Sequence, residues 1–271
     1  MSNIETLFKA QQKNFGHWDV IKDVVDQQID LMLNYRQSGH PGGSRSKAHM
    51  LLSLLLNGAM RWDIRNPGKR FGDRFILVAG HTAPLVYAML STFNEALRVM
   101  HEKTGDPKYL VPGAPERMLT WENLLDFRNR GGLPGHVEMA HNNLFVKFNT
   151  GPSGHGGPVM SGEAIALKRA GAEGVKVFGI EGEGGHTAGC WHEMKNTGFG
   201  LGLDNMFVLM DWNDYGIDNQ KVSSVVNGTP EDWFAPYGWH THEAADGSAW
   251  DDVTRALLEM VEGDNPPAAP A

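Results

Sequence analysis

The chain has almost no cysteine: Cys190 is the only one in 271 residues. No intramolecular disulfide can form, and a reducing, cytoplasmic setting is expected. Long apolar runs are missing as well. The strongest, around Met50 to Leu56, is too short to cross a bilayer. The N-terminus, Met1-Ser2-Asn3-Ile4-Glu5, has no basic segment followed by an apolar one, so no signal peptide is expected. Positive charge is scarce: 24 lysines and arginines face 32 aspartates and glutamates, a net charge of −8. That balance argues against a general nucleic-acid or membrane-surface binder. Neither a Gly-Lys-Ser/Thr phosphate loop nor a G-x-G-x-x-G opening a helix occurs, which disfavours nucleotide hydrolysis and dinucleotide binding. No cysteine pair or histidine spacing suggests zinc.

What the chain does have is an apolar content of 41% and 33 glycines spread along its length. No repeat and no interior linker is visible, so residues 1–271 read as one domain with many tight turns. Apolar periodicity predicts helices over 20–35, 46–57, 84–99, 159–170, 192–200 and 250–262, with a short one over 121–128. Strands are predicted over 75–79, 175–180 and 206–210, and a turn with a short strand over 233–241. The Pro/Ala-rich tail, 263–271, cannot join a central strand. Strands alternating with helices imply an α/β fold: a three-layer, doubly wound, mostly parallel sheet with helices on both faces.

Two strand exits carry hard oxygen ligands. Gly182-Glu183-Gly184 follows one predicted strand, and Asn213 follows another, thirty positions on. In a parallel sheet both exits lie on the edge where ligands bind. A carboxylate, an amide oxygen and a backbone carbonyl from Asp214 or Tyr215 suit Mg²⁺ carrying a diphosphate. Glu181 is a competing carboxylate two residues earlier, on the same side of an extended strand. The plain alternative is two strand-end turns with no metal.

Four histidines, His40, His81, His136 and His155, sit in glycine-rich turns, where imidazole can bind phosphate oxygens or move protons near neutral pH. Each alone reads first as an exposed loop histidine; several such turns on one sheet edge shift the balance toward a site. The turn from Gly151 to Gly157 lets backbone approach a ligand closely. Trp191, Trp212, Trp233 and Trp239 are expected to pack the core, and Cys190 to be a buried, inert thiol.

In order along the chain, these motifs resemble the transketolase family, specifically its N-terminal thiamine diphosphate-binding domain. The resemblance spans about Asp19 to Glu262. It is carried by Ser38-Gly39-His40-Pro41-Gly42, by the strand ending Ala79-Gly80-His81, and by Gly135-His136-Val137-Glu138. Gly151-Pro152-Ser153-Gly154-His155-Gly156 and the Gly182–Asn213 pair complete it. Three departures stand out. Glu183 replaces the family's aspartate, Asp214 replaces a glycine, and His186-Thr187-Ala188 lacks the acidic residue expected after the turn.

The resemblance implies that His40, His81 and His136 face the reacting carbon and the substrate oxygens. It implies that His81, Gly151, Pro152, Ser153, Gly182, Glu183, Gly184 and Asn213 bind the cofactor. Ser153 would offer its backbone carbonyl to the aminopyrimidine. Glu183, Asn213 and the Tyr215 carbonyl would hold Mg²⁺, or Ca²⁺ or Mn²⁺. The implied reaction moves a two-carbon ketol unit from a ketose to an aldose, both commonly phosphorylated. The pyrimidine-binding and C-terminal domains of the family are absent from this sequence. The expectation is therefore a half-site that is inactive alone and completed by a pyrimidine-domain subunit or by a further part of the same chain, in a homodimer or heterotetramer. Two other readings stay open: a related thiamine diphosphate enzyme, 2-oxo acid decarboxylating or deoxyxylulose phosphate synthase-like, and a non-catalytic paralogue with a structural or regulatory role.

Overall fold

A computed structural model describes residues 3–114, 116–139 and 142–263. Three strands, β1 (Arg74–Leu77), β2 (Val177–Gly182) and β3 (Met206–Asp211), form one parallel sheet in the order β1-β2-β3. The register pairs Leu77 with Ile180 and Gly182 with Asp211, so the C-terminal ends converge on one edge. Val146 adds an isolated parallel bridge to Phe75.

Side-chain alternation explains the layers. Phe75, Leu77, Phe178, Ile180, Phe207 and Leu209 point into one core. That core is closed by α1 (Asn3–Gln12), α2 (Phe15–Arg36), α4 (Ala48–Leu56), α5 (Ala83–Thr104) and α10 (Trp250–Glu262). The alternate residues Ile76, Val78, Val177 and Met206 point the other way. There they meet α7 (Gly156–Arg169), α8 (Gly189–Gly200) and α9 (Pro230–Phe234). Helices thus cover both faces. Gly179 lets α7 pack close, since a Cβ there would lie 2.2 Å from the Met160 sulfur and would force that side chain to move.

Several predicted elements change shape. The helix predicted over 46–57 is α4, and the turn expected before it is instead largely a short helix, α3 (Pro41–Ser46), which starts at a proline and is separated from α4 by Lys47, whose backbone breaks from helical geometry. The short helix at 121–128 contracts to α6 (Trp121–Leu124), closed by a capping box between Thr120 and Asn123. No strand forms over 233–241. Thr229 caps α9, Pro230 and Pro236 set helical starts, and a 3-10 turn follows over Ala235–Tyr237. The alternating aromatics there pack around α8 instead of pairing with the sheet. Cys190 is half-buried rather than fully buried, its thiol 3.4 Å from the Gly154 carbonyl. The expectation for the Pro/Ala-rich tail from Asp264 onward lies outside the described residues. Among the described residues, no helix is long and apolar enough to cross a membrane.

Candidate functional site

The sheet edge collects the predicted turns. β1 leaves through Gly80-His81-Thr82, and Thr150 donates its hydroxyl to the Leu77 carbonyl, fixing the next glycine turn beside it. Contact between these turns is close: a Cβ on Gly80 would lie 2.8 Å from Gly151 Cα. A Cβ on Gly151 would lie 3.1 Å from His136 Nδ1. The His136 loop is held from below by Tyr87 on α5, whose hydroxyl donates to the Pro134 carbonyl at 3.0 Å. Burial, and secondarily Glu138, raises the Tyr87 pKa, so this donor stays protonated.

His40 precedes α3 and packs edge-to-face on His81, with ring centroids 5.4 Å apart. Burial first, then the charges of Lys47, His40 and His136, push His81 down to about 4. It is therefore a neutral imidazole at physiological pH, able to donate from one nitrogen and accept at the other. The structure brings His40, His81, His136 and Gly151 together. His155, also singled out in the sequence, is exposed at the start of α7. Pro152 and Ser153 are exposed in the same turn, and Gly154 takes a left-handed conformation.

On the neighbouring strands, Glu183 and Asn213 meet. The Asn213 N–H donates to Glu183 Oε1 at 3.2 Å. Glu183 is buried, and among the described residues no lysine or arginine is in salt-bridge contact with it. Burial raises its pKa, with the Asp214 amide and Lys47 working against that rise and Asp211 adding to it. Asn213 Oδ1 accepts the Tyr215 N–H at 2.9 Å, and Asp214 adopts φ +63° to close this small turn. Tyr215 itself is 82% exposed.

Glu181 does not share this position. It turns beneath the glycine loop, where its carboxylate takes the Gly182 N–H at 2.9 Å and a hydrogen bond from the Gly154 amide, while Oε2 has no partner. A Cβ on Gly185 would lie 2.3 Å from that oxygen. The register ambiguity in the sequence resolves with Glu181 against the loop and Glu183 toward Asn213.

The donor set suits a hard cation. One carboxylate, one amide oxygen and an adjacent backbone carbonyl are oxygen ligands of the kind Mg²⁺ takes, and a buried carboxylate without a cationic partner is what a metal completes. Among the described residues no group of three or more His, Cys, Asp or Glu is arranged to hold a metal alone. The remaining ligands must come from backbone, water or a bound anion.

Three residues here escaped the sequence reading. Lys47 and Asp211, both buried, form a cluster with the half-buried Ser46: Asp211 Oδ2 accepts from Lys47 Nζ at 2.7 Å, Ser46 Oγ at 2.5 Å and Asn213 Nδ2 at 3.0 Å. The available signal was Asp211-Trp212-Asn213, a second acid two residues before the predicted ligand. His186 was also missed as a packing element. It is fully buried against Trp212, Trp233 and Phe234, with ring centroids at 5.0, 4.5 and 6.3 Å. Its ring nitrogens make no well-formed hydrogen bond, a weak approach to the Glu183 backbone aside, and burial pushes it down to about 4.

A family model described as the thiamine diphosphate binding domain of transketolase matches residues 20–268. The transketolase of Halalkalibacterium halodurans is 30% identical over 239 residues, covering 84% of this chain and 32% of its own length. That of Rhodobacter capsulatus is 30% identical over 268 residues, covering 96% of this chain and 36% of its own length. Among solved structures, transketolase from Campylobacter jejuni superposes with a TM-score of 0.74 at 22% identity, over 92% of this chain and 36% of the other. The Leishmania mexicana transketolase gives 0.73 at 23% identity, over 93% and 35%. These two likenesses bear on the fold alone. The chain spans about a third of the length of the curated relatives it matches.

Proposed function

The chain belongs to the transketolase thiamine diphosphate-binding domain family, and on that premise we propose that it is the diphosphate-binding half of a transketolase-like enzyme. In this reading it holds thiamine diphosphate and Mg²⁺ and serves transfer of a two-carbon ketol unit from a ketose to an aldose. The observation that carries the proposal is the meeting of Glu183 and Asn213 beside the His40–His81–His136 cluster at one sheet edge.

When bound, thiamine diphosphate supplies the nucleophilic carbon and the electron sink for carbon–carbon cleavage. This chain's residues do the rest. Glu183, Asn213 and the Tyr215 carbonyl would hold the cation, which would offset diphosphate charge, Lys47 being already paired with Asp211. Gly182 and Gly184 keep side chains out of the way. Gly151, Pro152 and Ser153 would line the cofactor, and the Ser153 carbonyl would accept a hydrogen bond from the aminopyrimidine. His81, neutral down to about pH 4, binds oxygen atoms of diphosphate or substrate without adding charge. His40 and His136 exchange protons with substrate hydroxyls.

The described domain forms one unit in this reading. Pyrimidine binding and the grip on the substrate phosphate belong to a partner, either a separate pyrimidine-domain subunit or a further part of the same polypeptide, assembled as a homodimer or heterotetramer. A non-catalytic paralogue and a thiamine diphosphate enzyme acting on 2-oxo acids are separated from this reading by two measurements. The test is calorimetric titration with thiamine diphosphate, with and without Mg²⁺. Binding should require the cation, and Glu183→Gln should weaken it roughly 10- to 100-fold, the range typical for disturbing a metal site. No binding in the presence of the partner removes the proposal in favour of the non-catalytic reading. Substrate profiling of the assembly separates ketol transfer from decarboxylation.

A further inference from the structure

Asn213 is useful as a cation ligand only if its amide presents oxygen, not nitrogen, to the metal. The two ends of a carboxamide have nearly the same shape, so packing alone does not choose between them; hydrogen-bond partners do. The structure supplies such a chooser beneath the site. We infer that Lys47 and Asp211 are positioning residues that lock the Asn213 amide with its oxygen turned toward the cation position facing Glu183. The inference rests on the metal-site reading proposed above.

Asp211 is the last residue of β3, paired in register with Gly182 at the end of β2. Its side chain is 9% exposed and that of Lys47 4%, so this is a buried ion pair. The break between α3 and α4 delivers Ser46 and Lys47 together, and both donate to the same carboxylate oxygen. Asn213 Nδ2 is the third donor on that oxygen, at 3.0 Å. Lys47 Nζ, Ser46 Oγ and Asn213 Nδ2 all donate to this one oxygen, so Asp211 Oδ2 is placed as an acceptor. A flipped Asn213 would press its carbonyl oxygen against a carboxylate, two acceptors in a buried place, while leaving its donors unmatched. The flip is thereby closed off. Oδ1 faces the opposite way, where it accepts the Tyr215 N–H at 2.9 Å and keeps a second lone pair for a cation. The same segment donates the Asn213 N–H to Glu183 at 3.2 Å, so fixing Asn213 also fixes the spacing of the two ligands.

Lys47 is close enough to touch the acid turn. A Cβ on Gly182 would lie 3.7 Å from its Nζ. Its charge acts on Glu181, Glu183 and His81, and Asp211 acts on Glu183. Because Lys47 is already paired with Asp211, it neutralises a buried acid instead of offering a free cation to the diphosphate. That division leaves the metal its role.

The test is Mn²⁺ titration followed by electron paramagnetic resonance at saturating thiamine diphosphate, on the wild-type chain and four variants. Lys47→Met/Asp211→Leu replaces the ion pair by apolar groups, an exchange that commonly preserves folding. Asp211→Asn keeps the shape but can donate to the Asn213 oxygen, releasing the amide. Asn213→Ala removes the ligand, and the triple variant Lys47→Met/Asp211→Leu/Asn213→Ala closes the cycle. Roughly 10- to 100-fold weaker Mn²⁺ binding is expected in the pair variant and in Asp211→Asn. The triple variant should be no weaker than Asn213→Ala, because the pair acts through that residue. Circular dichroism and thermal melting should show the variants folded. Wild-type Mn²⁺ affinity in either the pair variant or Asp211→Asn overturns the inference alone, as does an additive loss in the triple variant. Absence of Mn²⁺ uptake by the wild-type chain with the pyrimidine-domain partner present overturns the metal-site reading and the inference with it.

Discussion

Single side chains at this edge are set by burial more than by charge. His81 and His186 are both pushed down to about 4, first by burial. Each therefore binds its proton more weakly in the folded chain than in the unfolded one, where the ordinary value near 6.5 applies. Their contribution to stability is complete above about pH 6.5 and is lost as pH falls toward about 4. The melting temperature should drop across that window, and His186→Phe should make the drop shallower. A melting temperature that stays level from pH 6.5 to 4 contradicts this. At this scale the sequence spoke unevenly. Glu183, His40, His81 and His136 could be singled out because glycine neighbours marked their turns, and Asn213 because it follows a predicted strand; that they lie at one edge is visible only in the structure. Lys47 was not: it follows Ser46 in what reads as a helix, and its partner Asp211 lies 164 positions away. Nothing local distinguishes a buried lysine from a solvated one.

Among the elements, β2 and β3 were readable to within two residues because short, mainly apolar runs rich in Val, Phe, Ile, Leu and Met and bounded by turn residues suit buried parallel strands. The segment over 233–241 was misread because its aromatics alternate for another reason. They enclose Lys195 on α8, whose Nζ donates to the Trp233 carbonyl at 2.6 Å and lies 5.0, 5.2 and 4.5 Å from the rings of Trp233, Phe234 and Tyr237. Trp239 returns a hydrogen bond to the Lys195 carbonyl at 3.0 Å, and His192, one turn earlier, meets the Tyr237 hydroxyl at 3.1 Å. α9 and the turn after it are thus latched to α8 through a cation in an aromatic enclosure. Lys195→Met keeps the apolar stem but leaves the Trp233 carbonyl unmatched and ends the ring contacts. Urea unfolding should register a loss of about 1–3 kcal/mol. An unchanged midpoint would show that the latch contributes nothing. Since Trp233 and Phe234 also press on His186, just beyond Glu183, the same variant tests how firmly the acid turn is backed.

At the scale of the whole molecule, three parallel strands place every proposed ligand on one edge, and that edge stands open. Ile217 is 89% exposed and Val225 68%, both in the segment following Asn213. In the proposed reading this apolar rim meets the pyrimidine-domain partner. The isolated chain should show no ketol transfer, and activity should appear on mixing with such a partner. Strong transfer by the purified chain alone would overturn the division of labour. The layered α/β architecture was legible from periodicity, because each element type imposes its own spacing of apolar residues. Which turns touch was not, since Gly80 against Gly151 and Gly151 against His136 are contacts between segments distant in sequence. The lone thiol gains an unplanned use from this geometry. Cys190 lies against the Gly154 carbonyl, one residue past Ser153, so a fluorophore or spin label attached there reports from the loop proposed to bind the cofactor without any engineered cysteine.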